Sequence, residues 1–276
     1  MHVFETPGKT RIRVRNASGV VAVEASETGQ TTVELEALRD DEATRDAIER
    51  ATVEAHGNEV RVEVDAGKGF GVGPAWISFG RTPQIGVRIR CPEGADLDCA
   101  TASADLTATG RLGEVEAKSA SGDIAVRDVE ALRVQSASGD VRSERIAGEA
   151  RIQTVSGDVR LGPVGGQLTA TLVSGDFEAD EGRSDVAVKT VSGDQRIDAV
   201  REGQIRMQSV SGDVRIGVRP GVRLLIEANS TSGDITSEFD VHDRPSEVPT
   251  TTEARLHVKT VSGDVEIVRA SAEHAA

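Results

Sequence analysis

The chain has 276 residues and a formal net charge of −14, with 46 Asp and Glu against 32 Lys and Arg. That acidity repels phosphate backbones and anionic headgroups, so it argues against nucleic acid and anionic membrane surfaces and leaves basic proteins and divalent cations. With one Trp, five Phe and no Tyr, the core must be built from Val, Ile, Leu and Ala, and the 29 Gly among many Ser, Thr and Asp signal frequent turns between short β-strands.

At the start, MHVFETPGKTRIRVRNASG lacks the apolar stretch of a secretory signal. No run reaches the ~20 apolar residues of a spanning helix. A cytoplasmic location and no transmembrane segment are therefore expected. RIRVRNASGVVAVEA and TTVELEAL alternate as strands do, and Asn16-Ala17-Ser18-Gly19-Val20 reads as a weakened corner. DDEATRDAIERATVEA, from Asp40 to about Ala55, reads as a short helix with acids at its start. Its thin apolar stripe of Ala43, Ala47, Ile48 and Ala51 places it on the surface. EVRVEVD then returns to strand.

Residues 67–83, GKGFGVGPAWISFGRTP, are the least regular stretch. They do not fit a dinucleotide fingerprint, because Val72 or Pro74 falls where the last Gly belongs, and no Lys-Ser/Thr follows for a phosphate loop. Phe70, Trp76 and Phe79 mark either a loop whose rings cover an open end of a β-solenoid or an interaction loop whose rings anchor a partner. Cys91 and Cys99 are too few for a disulfide framework and read as buried or half-buried thiols. Residues 1–99 form, on this reading, an N-terminal capping region with strands, the short helix and the Gly/aromatic loop.

From residue 100 to 270 a repeat takes over. Ser-Gly-Asp occurs eight times, with serines at 121, 138, 156, 174, 192, 211, 232 and 262, and Ser103-Ala104-Asp105 is a degenerate copy 18 residues upstream of the first. The steps are 17, 18, 18, 18, 19, 21 and 30 residues. Seven of the eight residues after the Asp are apolar, and so are all eight residues four before the Ser. A period near 18 is too short for a βαβ unit or a helical pair. It suits short strands joined by tight corners, with TVSGD as the corner. The glycines Gly122, Gly139, Gly157, Gly175, Gly193, Gly212, Gly233 and Gly263 supply the unusual φ, and Ser and Asp bond exposed backbone groups.

The corner aspartates Asp123, Asp140, Asp158, Asp176, Asp194, Asp213, Asp234 and Asp264 would form a column of like charge. Arg142, Arg160, Arg196 and Arg215, two residues beyond the Asp, offer partial relief. A calcium ladder is the alternative use of that column, although calcium-binding rolls carry a G-G-x-G-x-D nonapeptide and here one Asp stands in each turn. Residues 240–253, DVHDRPSEVPTTTE, read as a surface insertion and 271–276 as a frayed tail.

The histidines His2, His56, His242, His257 and His274 show no metal-ligand spacing, and neither G-x-S-x-G nor H-E-x-x-H occurs. The chain therefore reads as non-enzymatic and without a cofactor. SGD corners at about 18-residue spacing, the closing KTVSGDVEI and the opening FETPGKTRIRVRNASGVVAVEA resemble the bacterial adhesin-type β-strand-repeat family of unknown function, DUF4097. The resemblance covers about residues 4–270 and implies a non-catalytic role, often at the cell envelope.

The expected fold is all-β: a single-stranded right-handed parallel β-solenoid (β-helix) with ~18 residues per coil and one short helix near the N-terminus. Three faces per coil fit best, and a flatter two-sided roll is the alternative. The expected function is that of a structural or interaction protein that presents faces or ends to a protein partner or to itself. A cation-binding module is the second reading and a carbohydrate-active enzyme the third.

Overall fold

The structure, a computed structural model, describes residues 1–64, 82–239 and 253–270. Strands dominate, with a single α-helix among the described residues. No helix there is long and apolar enough to cross a membrane. Two compact units are present, Met1–Gly139 and Asp140–Ala276.

The first unit contains β1 (His2–Glu5), β2 (Arg11–Ser26), β3 (Gln30–Ala37), α1 (Glu42–Glu49), β4 (Thr52–His56), β5 (Glu59–Val64), β6 (Ile85–Pro92), β7 (Asp96–Ser119) and β8 (Ile124–Ser136). β2 is its centre. It pairs in parallel with β5 and β6 in succession, and with β7. β7 in turn pairs with β8, Leu106 opposite Ile124. β3 runs antiparallel to β1 and β6, and β4 antiparallel to β5. The helix is shorter than the expected 40–55. Asp41 caps it by accepting the Thr44 N–H at 2.8 Å, and it stops at Arg50. The β-branched pair Thr52-Val53 and the turn at Gly57 (φ 62°) instead make β4 and β5 a hairpin. Thr44 and Ala47 are buried, so one side of the helix packs inward.

The second unit contains β9 (Val141–Ile146), β10 (Ala150–Ser156), β11 (Val159–Leu161), β12 (Leu168–Ser174), β13 (Phe177–Gly182), β14 (Val186–Lys189), β15 (Gln195–Val200), β16 (Gly203–Gln208), β17 (Val214–Val218), β18 (Arg223–Ser232), β19 (Ile235–Ser237), β20 (Glu253–Ser262) and β21 (Val265–Arg269). They form two parallel rows. One runs β10, β12, β14, β16, β20, β18. The other runs β9, β11, β13, β15, β17, β21, β19. Chain order and spatial order part at the end: the last repeat lies between its two predecessors, with Ser211 opposite Ser262 and Ser262 opposite Ser232.

Period-2 alternation decides what is buried. Ile152, Ala170, Val188, Met207 and Val258 lie in register and point inward, all at 0% exposure. Gln195, which breaks the apolar pattern after the Asp, is also buried; its amide N–H groups donate to Thr190 Oγ1 and Gln208 O, both at 2.8 Å.

The expectation of an open-ended β-solenoid is corrected. The sheet curls through 329° round an axis into a nearly closed barrel. The corners do not interrupt the ladder: Gly193 N–H donates to Ser211 O at 3.0 Å and Asp213 N–H to Asp194 Oδ1 at 2.8 Å. Faces that the 18-residue period suggests as separate thereby merge into one curling sheet. The antiparallel β1, β3 and β4 also depart from a purely parallel arrangement.

Candidate functional site

At each TVSGD corner the chain turns from one row of strands to the next. The Thr points inward: Thr154 is buried and its hydroxyl donates to Ser156 O at 3.0 Å. Gly takes the strained place. Seven of the eight SGD glycines have positive φ, from 115° at Gly139 to 145° at Gly233 and Gly263; Gly122 is the exception. Gly19 (φ 119°) does the same in the weakened corner, which pairs with Ser103-Ala104-Asp105.

Each corner aspartate is tied to its neighbour by the backbone. Asp158 N–H donates to Asp140 Oδ1 at 3.0 Å, Asp176 to Asp158 at 3.1 Å, Asp194 to Asp176 at 2.9 Å, and Asp213 to Asp194 at 2.8 Å. The series continues through Asp264 to Asp234, each step 2.8 Å. In the first unit Asp123 N–H donates to Asp105 Oδ1 at 3.0 Å, which brings the degenerate copy into the same scheme. One carboxylate oxygen of each acceptor is thus engaged in holding the corner, a bond strengthened by its charge. Of the four relieving arginines, Arg142 and Arg160 reach their own corner aspartates at 2.8 and 3.4 Å. Arg196 turns to Asp198 at 2.6 Å and Arg215 to Glu266. Among the described residues no group of three or more His, Cys, Asp or Glu is placed to hold a metal ion.

The second TVSGD residue faces out. Val155, Val173, Val191, Val210 and Val261 are 45–52% exposed. The pairing of the flanking serines sets all five in one line across adjacent strands, and Thr231 continues it. At the strand spacing of about 4.8 Å the five valines make a ridge roughly 20 Å long.

One buried charge cluster escaped the sequence reading. Glu181, 2% exposed, accepts from Arg183 Nε at 2.8 Å and Arg201 Nε at 2.7 Å, and Arg219 Nη2 lies 3.1 Å away. Burial alone would raise the Glu181 carboxyl, but the hydrogen bonds and charges of Arg201 and Arg183 outweigh it and hold the group below the usual carboxylate range. The signal was present, since Arg183, Arg201 and Arg219 recur every 18 residues. Cys91 and Cys99 are free and buried, and burial pushes both thiols up to about 12. Phe70, Trp76 and Phe79, the expected aromatic loop, lie outside the described residues, as does the insertion up to residue 252.

Residues 9–224 and 182–268 both match the Toastrack DUF4097 family. The chain belongs to that family. No curated protein matches it. Among solved structures, this Toastrack chain is similar to a "putative lipid binding protein" from Parabacteroides distasonis ATCC 8503, at 13% identity and a TM-score of 0.50, over 97% of this chain and 96% of that one. It also matches a "putative adhesin" from Parabacteroides merdae ATCC 43184, at 10% identity, a TM-score of 0.36 and coverage of 97% and 95%. A "putative adhesin" from Bacteroides fragilis NCTC 9343 matches at 12% identity, a TM-score of 0.35 and the same coverage. At 13% identity the likeness to the first of these concerns the fold alone.

Proposed function

We propose that this Toastrack protein is a non-enzymatic interaction protein whose second unit binds a protein partner along the valine ridge. The ridge carries the reading. Two residues earlier on the same outward side stand Gln153, Thr171, Lys189, Gln208 and Lys259, also in register. The outward position thus accepts polar residues, and the fold does not demand an exposed valine. Five exposed valines in one line form a contiguous apolar strip of the kind that marks an interaction surface. A partner would lay an apolar edge or groove along it, with the exposed corner serines as polar rim.

The test is a ridge variant, Val173→Thr with Val191→Thr and Val210→Thr, compared with the wild-type chain as bait. The expected result is a partner retained by the wild type and lost by the variant, at unchanged circular dichroism. Equal retention by both would refute the ridge, and turnover of a polysaccharide by the wild-type chain would refute the non-enzymatic reading.

A further inference from the structure

The outer surface beside the valine ridge differs in charge from the rest of the chain. Two columns of outward residues run in register across β10, β12, β14, β16 and β20: one from Gln153 to Lys259, two places before the valines, and the next beyond it, from Arg151 to His257. Neither column contains an Asp or Glu, in a chain that has 46 of them. Four positions are exposed cations: Lys189 and Lys259 in the nearer column, Arg151 and Arg206 in the farther one. Among the described residues none of the four pairs with a carboxylate. In the other row of strands, by contrast, Arg160, Arg196 and Arg215 each meet one. His257 is engaged by Glu227 of β18. A strip of uncompensated positive charge therefore lies alongside the exposed valines.

We propose that this strip and the ridge together take an extended acidic segment of a protein partner, with its aliphatic side chains on the valines and its carboxylates on Lys189, Lys259, Arg151 and Arg206. The inference rests on the ridge reading and adds the chemistry of the partner. An extended segment laid along the ridge sends alternate side chains to either side. Acidic and aliphatic residues in alternation then meet cations on one side and valines on the other. The nearer column stands about 6.6 Å from the valines along each strand, a distance that a lysine stem spans while its ammonium stays in water. From β10 to β20 the cations cover about 19 Å, the length of about six extended residues. The net charge of −14 does not oppose such a partner. Charges more than a Debye length away, about 8 Å in physiological salt, are largely screened, so the local cations set the field there. The corner aspartates on the opposite side of the ridge repel carboxylates, so the acidic edge of the segment has one way to lie.

The experiment is fluorescence anisotropy of the full chain with a labelled peptide of about twelve residues in which glutamate and valine alternate. A second peptide, with lysine in place of glutamate, is the comparison. The wild type should bind the glutamate peptide and not the lysine peptide, and added salt should weaken the binding. Lys189→Gln with Arg206→Gln should weaken it about tenfold at unchanged circular dichroism, whereas Arg196→Gln with Arg215→Gln, on the other row, should leave it unchanged. The ridge variant separates the two readings. Binding lost with the charge pair but kept by the ridge variant would uphold the strip and refute the ridge; the reverse would refute the strip and leave the ridge. No binding of the glutamate peptide by the wild type, or equal binding of both peptides, would overturn the proposal. So would displacement of the labelled peptide by duplex DNA or a heparin fragment at a lower concentration than by the unlabelled peptide.

Discussion

Gly193→Ala tests the corner most directly. Gly193 sits at φ 133°, and a Cβ there would stand 2.1 Å from Gly175 O and 2.7 Å from its carbonyl carbon. The backbone conformation costs about 1–3 kcal/mol for any other residue. The clash is with backbone, so it is relieved only if adjacent strands part. Parting them weakens the Ser192 N–H to Val173 O bond at 2.9 Å and the Gly175 N–H to Ser192 O bond at 3.1 Å. Each is worth about 0.5–1.5 kcal/mol net. The total is about 2–6 kcal/mol. Gly221 is the control: its φ is 82°, but nothing lies within 4 Å of its Cβ position. Gly221→Ala should cost only the conformational part, about 1–3 kcal/mol. Urea unfolding followed by circular dichroism measures both. If Gly193→Ala is no less stable than Gly221→Ala, close approach of stacked corners does not constrain the residue.

Asp194→Ala deprives Asp213 N–H of its acceptor and should cost about 1–2 kcal/mol, whereas Asp194→Asn keeps the acceptor, removes one charge from the column and should change stability by less than about 0.5 kcal/mol. Equal urea midpoints for the two variants would refute the acceptor role. Glu181→Ala leaves Arg183, Arg201 and Arg219 without their shared carboxylate and should cost about 3 kcal/mol, the low end for a buried pair because two of the arginines are half exposed. The folded-state pKa of Glu181 is depressed, so its contribution is full above the unfolded pKa and lost as pH falls through the folded value; a gap between wild type and variant that widens in acid would contradict this. With Cys91 and Cys99 at about 12, a thiol reagent at mildly alkaline pH should label neither until urea unfolds the chain, and labelling of the native protein would show the thiols to be accessible. Because each acceptor aspartate spends one oxygen on the backbone, exchanging calcium for EDTA should leave the unfolding midpoint where it is; a calcium-dependent rise would restore the column as a cation site.

The period of 18 was legible because stacking repeats the same demand at each corner: an inward apolar residue, a glycine, an aspartate. Even the degenerate Ser103-Ala104-Asp105 kept its aspartate and its bond to Asp123. What the aspartate does was hidden, because Oδ1 of one corner meets the N–H of another only once the register is known. Read in one dimension, the column showed charge repulsion but not the hydrogen bonds that hold it. Closure was hidden for a related reason. Curvature arises from how the ladder passes through corners, and no residue type encodes that by itself. The helix was overextended because Thr52–His56 satisfies a helical spacing about as well as a strand, and its antiparallel partner, Glu59–Val64, decided the matter. The valine ridge needed only the parity of TVSGD, in which an inward Thr forces an outward Val. Glu181 lies outside the corner motif, and its three arginines come together only through the pairing of β13 with β15 and of β15 with β17.

The inverted order of the last two repeats follows from what each can bury. The inward residues of β20 and β21 are Ala254, Leu256, Val258, Val265 and Ile267, none more than 1% exposed. Their counterparts in register on β18 and β19 are Leu224, Ile226, Ala228, Ile235 and Ser237, none of them buried. Strict chain order would put Ser237 where Ile267 is covered on both sides and leave Ile267 at the edge. Covering an aliphatic side chain is worth about 1.5–3 kcal/mol, so the more apolar repeat belongs inside. Residues 240–252 are the stretch that joins the two repeats in sequence. Loop closure grows only slowly more costly with length, by about 0.6 kcal/mol for each doubling. The 30-residue step between the last two corners, which in sequence resembles a decorative insertion, is therefore the length that lets apolarity and not chain order decide which repeat is covered.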